Sequence, residues 1–183
     1  MKWVWITLAS IAAIIALVAI VGALLPVAHA AARRLHLKQS AAAVFAAITD
    51  VPAMPQWRDL KSVEMLPPRG GKRCYREVSG FGPMDLLVEI EEPGRKVVTR
   101  IVTAGSPFGG TWTFRLEPEG DGTSITITEN GEVYNVFFRA LARFVFGHTS
   151  TIDGYLRALA AKFGEVAEPA PAEPDPAPPA ATR

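Results

Sequence analysis

The sequence has too few cysteines and histidines for a disulfide framework or a metal centre. Among its 183 residues Cys74 is the single cysteine, so neither an internal disulfide nor a CxxC pair can form. Its three histidines, at positions 29, 36 and 148, show none of the short paired spacings that zinc sites use. A glycine-rich phosphate loop is missing as well. We therefore expect no metal ion and no other cofactor.

An excess of charge of either sign is also missing. The 19 Lys and Arg residues nearly balance the 18 Asp and Glu residues, and the formal net charge is +1. A general nucleic-acid-binding protein would carry a basic face or stripe, so this class is excluded. With 49% apolar and 20% charged residues, the chain taken as a whole is typical of a folded protein.

Charged residues are absent from positions 3–32, and residues 3–25 are nearly all large apolar side chains or alanine. As a helix rising about 1.5 Å per residue, this stretch would measure roughly 35 Å, enough to cross a bilayer core. Trp3 and Trp5 lie at one end, where aromatic rings favour the headgroup layer, and Arg33 and Arg34 close the other. Residues 1–32 are thus predicted to form a single-pass membrane anchor in the cell membrane.

A cleaved secretory signal is the competing interpretation of the same segment. Lys2 would form the charged start of a signal peptide, and Ala28-His29-Ala30 offers a small-residue cleavage site. The apolar region of a signal peptide is normally about 7–15 residues long, which is shorter than the run found here, so we favour the uncleaved anchor. The basic residues on the two sides of the run are too evenly matched to assign the side of the membrane.

The other end of the chain, residues 165–183, consists largely of proline, alanine and acidic residues. Proline removes backbone donors and the segment has little apolar surface to bury, so a disordered, polyproline-like tail is predicted. A protein partner that recognises this tail remains an alternative to a merely solubilising role.

Residues 33–164 are predicted to form one α+β domain. Ser40 is placed to cap a short helix over residues 41–48, which Asp50 and the following prolines end. From residue 62 the apolar pattern changes to a period of two, with turn sequences between the segments, and predicts antiparallel strands over residues 62–66, 72–79, 84–91, 96–104, 110–117 and 124–132. A short strand is also predicted over residues 33–38.

The last part of the domain, residues 135–163, is predicted to be one long helix. Apolar side chains recur there at spacings of three and four and form a stripe suited to covering the apolar face of the sheet. The stripe contains Phe138, Leu141, Val145, His148, Ile152, Tyr155, Leu159 and Phe163.

This order of elements, and several local sequences, resemble the helix-grip fold of the START-related SRPBCC superfamily, whose members are also described as polyketide cyclase/dehydrase-like. The resemblance is carried by Pro55-Gln56-Trp57, by the segments 110–118 and 122–129, and by residues 146–156, which look like a membrane-anchored bacterial subgroup. It implies a curved antiparallel sheet wrapped on a long C-terminal helix. It also implies a cavity between them for a hydrophobic small molecule or lipid.

Two polar residues are candidates for a catalytic or ligand-binding role in that cavity. His148 is the polar member of the helix stripe, and Glu129 alternates with Ile125 and Ile127, so both are expected to face the cavity. They could act as an acid–base pair, or His148 could be purely structural and Glu129 could reach water or pair with Arg100. The other residues expected to line the cavity are Trp57, Arg100, Trp112, Phe114, Phe138, Leu141, Val145 and Ile152.

Three functions are compatible with these features. We favour a membrane-tethered, non-enzymatic carrier of a hydrophobic molecule or lipid. A cyclase or hydratase that uses His148 and Glu129 is the second possibility, and an interaction scaffold that displays the proline-rich tail is the third. Fold analogy does not by itself establish a reaction.

Overall fold

The computed structural model describes residues 2–80 and 82–179, which contain an eight-stranded antiparallel sheet. Within these residues the strands follow the order β2-β3-β4-β5-β6-β7-β1-β8 across the sheet. They are β1 (Ala28–Leu37), β2 (Ser62–Arg69), β3 (Lys72–Ser79), β4 (Gly82–Glu92), β5 (Lys96–Ile101), β6 (Phe108–Glu119), β7 (Gly122–Val133) and β8 (Ala170–Pro171). The α-helices are α1 (Lys2–Leu24), α2 (Ala41–Thr49), α3 (Val136–Leu141) and α4 (Ser150–Lys162), with a 3-10 helix at Val51–Gln56 and a π-helical segment at Ala142–Phe146.

Helix α2 begins where its capping residue predicts. The Ser40 hydroxyl accepts a hydrogen bond from the Ala43 backbone N–H at 3.2 Å, which satisfies one of the free donors of the first turn. Val44 and Ile48, one turn apart, are buried on the side of the helix that faces the sheet. The 3-10 helix then places Trp57 and Arg58 beside the core.

The core lies between one face of the sheet and helices α2 and α4. Ile125 and Ile127 of β7 are fully buried, and so is Ile152 of α4. Burying such side chains contributes roughly 1.5–3 kcal/mol each. The predicted α+β helix-grip architecture, with an antiparallel sheet, a C-terminal helix and a preceding apolar helix, is confirmed.

The prediction of one continuous helix over residues 135–163 is wrong. Gly147 adopts a φ of +72°, which non-glycine residues rarely take, and it ends the π-helical segment before α4 starts. As a result α4 is the part of residues 135–163 that covers the sheet, together with α2. Phe138, Leu141 and Val145, expected to line the cavity, are instead exposed by 41%, 37% and 65%.

Helices α1 and α3 pack against each other at a glycine. A Cβ atom added to Gly22 would lie 1.9 Å from the carbonyl oxygen of Val136, so only glycine allows the two backbones to approach this closely. The Asn135 side chain accepts hydrogen bonds from the N–H groups of Phe137 and Phe138 and thereby caps the start of α3. Segment 136–146 therefore lies beside the end of α1 rather than on the sheet.

Strand β1 begins at Ala28, before residue 33, where the predicted strand starts. Ala28, His29 and Ala30 pair with Glu132, Gly131 and Asn130 of β7. Backbone pairing with a neighbouring strand, rather than side-chain periodicity, extends the strand into the alanine-rich sequence. The suggested cleavage site is thus part of the sheet.

Part of the tail predicted over residues 165–183 lies against the sheet; residues 180–183 lie outside the described residues. Ala170 and Pro171 form β8 at the edge of the sheet, opposite Arg34 and Arg33. The Asp175 N–H donates to the Thr128 hydroxyl at 3.0 Å. Proline is compatible with an edge strand, where its missing donor breaks no ladder.

Candidate functional site

Four aromatic rings meet between the sheet and α4. The Tyr155 ring of α4 lies 5.4 Å from the Trp57 ring, 5.9 Å from the Trp112 ring and 5.4 Å from the Phe114 ring, centroid to centroid. Trp112 and Phe114 alternate with outward residues along β6 and so share the covered face of the sheet. These rings form the apolar part of what we call the interior cluster: Trp57, Arg58, Glu77, Trp112, Phe114 and Tyr155.

A buried ion pair forms the polar part of the interior cluster. Arg58 donates from two guanidinium nitrogens to the two carboxylate oxygens of Glu77, at 2.5 and 3.0 Å. The two side chains are only 17% and 11% exposed. The Arg58 guanidinium carbon also lies 4.8 Å from the centre of the Tyr155 ring, a cation–π distance. Arg58 is thereby fixed against both the sheet and α4.

Two hydrogen-bonding groups of the interior cluster are buried without a partner among the described residues. They are the Tyr155 hydroxyl and the Trp57 indole N–H. Burial raises the pKa of Tyr155 well above its usual range, so the hydroxyl keeps its proton and can donate. Because an unsatisfied buried polar group costs about 1–3 kcal/mol, a ligand with an acceptor oxygen would be stabilised here.

Of the residues expected to line the cavity, the structure brings Trp57, Trp112 and Phe114 together, and it buries Ile152 in the same core. Sequence reasoning missed Arg58 and Glu77 as partners, because nothing in their local spacing links the 3-10 helix to β3. Tyr155 was visible as a member of the helix stripe. Its unpartnered hydroxyl could not be read from the pattern.

A second site lies where the end of α1 meets β1, β7 and α3. A cavity of about 420 Å³ opens there, which we call the junction cleft. Its apolar wall consists of residues 25–28, Val133 and Ala142. Its polar lining consists of His29, Arg139, Arg143 and His148. Across the described ranges 2–80 and 82–179, no group of three His, Cys, Asp or Glu side chains is arranged to hold a metal ion.

His148 and Glu129 are connected in the junction cleft through His29. The His29 Nε2 atom lies 3.3 Å from a Glu129 carboxylate oxygen, and the His29 and His148 rings stack with centroids 4.1 Å apart. Glu129 is thus paired, but its partner is the histidine that precedes the predicted domain. The expectation that His148 points into the space between sheet and α4 is wrong, because His148 lies in the break before α4.

Arg100, the other suggested partner of Glu129, faces away from the interior. It lies opposite Thr111 in the β5–β6 ladder, whereas Trp112 points to the other face. Its Nε donates to Glu89 at 2.5 Å instead. Arg100 is therefore not a lining residue of the interior cluster.

The environment of His148 makes the stability of the protein pH-dependent. Burial lowers the pKa of His148 from its ordinary 6.5; His29 and Arg143 lower it further, and Glu129 opposes them. Since the unfolded state then binds a proton more readily, the contribution of His148 to the free energy of unfolding is fully present above about pH 6.5. It is lost as the pH falls through the lowered folded-state pKa.

Between about pH 7 and pH 5, the melting temperature should fall less for His148→Asn than for the wild type. An equal loss in both would contradict this assignment.

Comparison with known proteins shows one family and many structural relatives. The sequence profile of the family described as "Polyketide cyclase / dehydrase and lipid transport" matches residues 29–168. This range contains both the interior cluster and the polar residues of the junction cleft. Among curated proteins, none matches the sequence significantly.

Three solved structures illustrate the structural likeness. The protein Mll3558 from Rhizobium loti is 27% identical with a TM-score of 0.57, covering 74% of this chain and 96% of that one. A START superfamily protein from Mycobacterium smegmatis is 19% identical with a TM-score of 0.58, covering 73% and 96%. The Zhui aromatase/cyclase from Streptomyces sp. R1128 is 12% identical with a TM-score of 0.59, covering 74% and 93%.

Proposed function

Because the chain belongs to the family of polyketide cyclases, dehydrases and lipid-transport proteins, we propose that it binds a hydrophobic small molecule or lipid in the interior cluster and carries it without converting it. The observation that carries this proposal is the pair of unpartnered donors, the Tyr155 hydroxyl and the Trp57 indole N–H. The rings of Trp57 and Trp112 both lie against the Tyr155 ring. A suitable ligand is mostly apolar and presents a carbonyl or similar acceptor oxygen.

Trp57 is the side chain that would move to admit such a ligand. It is half-buried at the end of the 3-10 helix, where its ring forms a T-shaped contact with the Tyr155 ring, and the Lys162 ammonium lies 5.9 Å from the centre of the Trp57 ring. Trp112 and Phe114 are instead fixed in a central strand paired on both sides. Displacing Trp57 would open the interior cluster without breaking the sheet.

Helix α1 is proposed to anchor the carrier in a membrane. It has a mean hydropathy of 2.7 over its most apolar window, none of which is buried in the fold, and Trp3 and Trp5 are 81% and 70% exposed at its start. Removal of the segment up to Ala30 would delete His29 and three paired positions of β1. An uncleaved α1 is therefore the form compatible with the complete sheet, and it would keep the ligand site near the lipid phase.

Replacing Tyr155 by phenylalanine should weaken ligand binding while stabilising the empty protein. With 2-acetylnaphthalene as an apolar ketone probe, the dissociation constant should rise roughly fivefold to tenfold, because a net hydrogen bond contributes about 1 kcal/mol. The unliganded variant should gain on the order of 1 kcal/mol, since an unsatisfied hydroxyl is removed from the core. Fluorescence titration and chemical unfolding of the full chain in neutral detergent measure the two effects.

Tyr134→Phe is the matched control, because Tyr134 is exposed and its hydroxyl donates to Glu132. It should leave the affinity for 2-acetylnaphthalene unchanged. Equal affinities of the wild type and Tyr155→Phe would show that the Tyr155 hydroxyl does not meet the ligand, and the proposed site would be abandoned.

A cyclase- or hydratase-type reaction is the second candidate function. The chain of contacts from Glu129 through His29 to His148 favours it, since a carboxylate that orients a histidine is a common general-base arrangement. A hydration, a dehydration or a dehydrating cyclisation would change the mass of the natural ligand by one water, and both His29→Gln and His148→Gln would abolish that change. Recovery of the ligand unchanged after incubation with the wild type would support the carrier alone.

A further inference from the structure

The junction cleft combines an apolar wall with positive charge that has no carboxylate partner. Arg139 donates to the carbonyl oxygen of Leu25 at 2.9 Å and, more weakly, to that of Tyr134 at 3.4 Å. Its Nε is buried, and within residues 2–80 and 82–179 it has no hydrogen-bond partner. Arg139 therefore lacks a neutralising charge where its side chain enters the cleft.

Arg143, one turn further on, adds a second cation. It is exposed, and no carboxylate of the described chain lies within ion-pair distance of it. The neighbouring acid, Glu129, lies against His29. Two arginines and two histidines thus line one cleft, and no carboxylate is among its described lining residues, an arrangement that favours an anion.

The surface around the cleft is suited to lipid rather than to water. Phe137, Phe138, Leu141, Phe144 and Val145 are exposed on segment 136–146, immediately after the contact between α3 and Gly22 of α1. These side chains continue the apolar surface of α1. If α1 spans the membrane, they enter the same leaflet and the arginines lie at the level of the lipid headgroups.

We propose that the junction cleft binds the anionic headgroup of a membrane lipid, with Arg139 and Arg143 on its phosphate and the acyl chains along α1 and segment 136–146. The inference rests on the proposed anchoring of α1 but not on the ligand of the interior cluster. A bound headgroup would supply the acceptor that Arg139 Nε lacks. It would also fix the domain against the membrane, with the base of α1 as the point of attachment.

The test is native mass spectrometry of the full chain in dodecyl maltoside, titrated with phosphatidylglycerol or with phosphatidylcholine of the same acyl chains. We expect phosphatidylglycerol to bind several-fold more tightly. Arg143→Gln should reduce its affinity roughly fivefold, since a basic residue near an anionic lipid contributes about 1 kcal/mol. Arg143 is the better position to substitute, because Arg139 also donates to the Leu25 carbonyl oxygen and its replacement would disturb the contact with α1.

Arg95→Gln is the matched control, because Arg95 is exposed in the turn between β4 and β5, outside the cleft lining. It should leave the phosphatidylglycerol affinity unchanged. Equal binding of the two lipids, or an equal loss in the two variants, would overturn the proposal. So would glycerol phosphate binding as tightly as the lipid, because the site would then serve a soluble anion. The affinity of Arg143→Gln for 2-acetylnaphthalene should equal that of the wild type, which separates this site from the interior cluster.

Discussion

Replacing Arg58 by methionine should lower the free energy of unfolding by roughly 3 kcal/mol, because the variant leaves the Glu77 carboxylate buried without its partner. Glu77 is 11% exposed in the pair and has little access to water. The stack of the guanidinium on the Tyr155 ring is lost as well. Urea unfolding of the full chain in detergent, followed by near-ultraviolet circular dichroism, measures the loss.

The double variant Arg58→Met/Glu77→Leu should regain much of this stability, since no isolated charge remains in the core. Arg157→Met is the matched control: Arg157 also places two guanidinium nitrogens on one carboxylate, that of Glu168, but both side chains are largely exposed. Arg157→Met should lower the free energy of unfolding only slightly, because exposed ion pairs contribute little to stability. Similar losses for Arg58→Met and Arg157→Met would show that the interior pair is not a structural element of the site.

Gly22→Val should separate α3 from α1. The added Cβ would lie 1.9 Å from the oxygen and 2.7 Å from the carbon of the Val136 carbonyl, and backbone atoms cannot move aside as a flexible side chain can. Helix α3 has six residues and is too short to be stable without packing. Amide hydrogen exchange within α3 should accelerate on the order of tenfold, equivalent to about 1.4 kcal/mol.

Gly154→Ala provides the control in another helix. A Cβ atom at Gly154 of α4 would meet no atom within 4 Å, so alanine fits without strain. It should stabilise α4 by up to about 1 kcal/mol and leave exchange in α3 unchanged. Unaltered exchange within α3 of Gly22→Val would contradict the close packing of the two helices.

The domain architecture could be predicted because its signals are local. Ser40 caps α2 through a hydrogen bond to a residue three positions on. The alternation along β6 places Trp112 and Phe114 on one face of the sheet, and this placement needs no knowledge of distant contacts. The length and composition of α1 likewise depend on no distant contact.

The candidate site could be predicted only in part, because long-range pairing and one backbone angle decide it. The apolar spacing through Phe138 and Val145 is the same for a helix covering a sheet and for one facing lipid. The positive φ of Gly147 distinguishes the two cases only once the fold is known. The role of His29 depends on the register of β1 with β7, and the contacts of the tail with β1 and Thr128 depend on pairing that composition does not encode.

The most direct test of the account is native mass spectrometry of the full chain purified from its own host in neutral detergent. We predict an apolar molecule that is released on denaturation, retained in Tyr134→Phe and Arg143→Gln, and depleted in Tyr155→Phe. A molecule retained at full occupancy in Tyr155→Phe would contradict binding in the interior cluster, as would a protein that carries no small molecule in any of these forms.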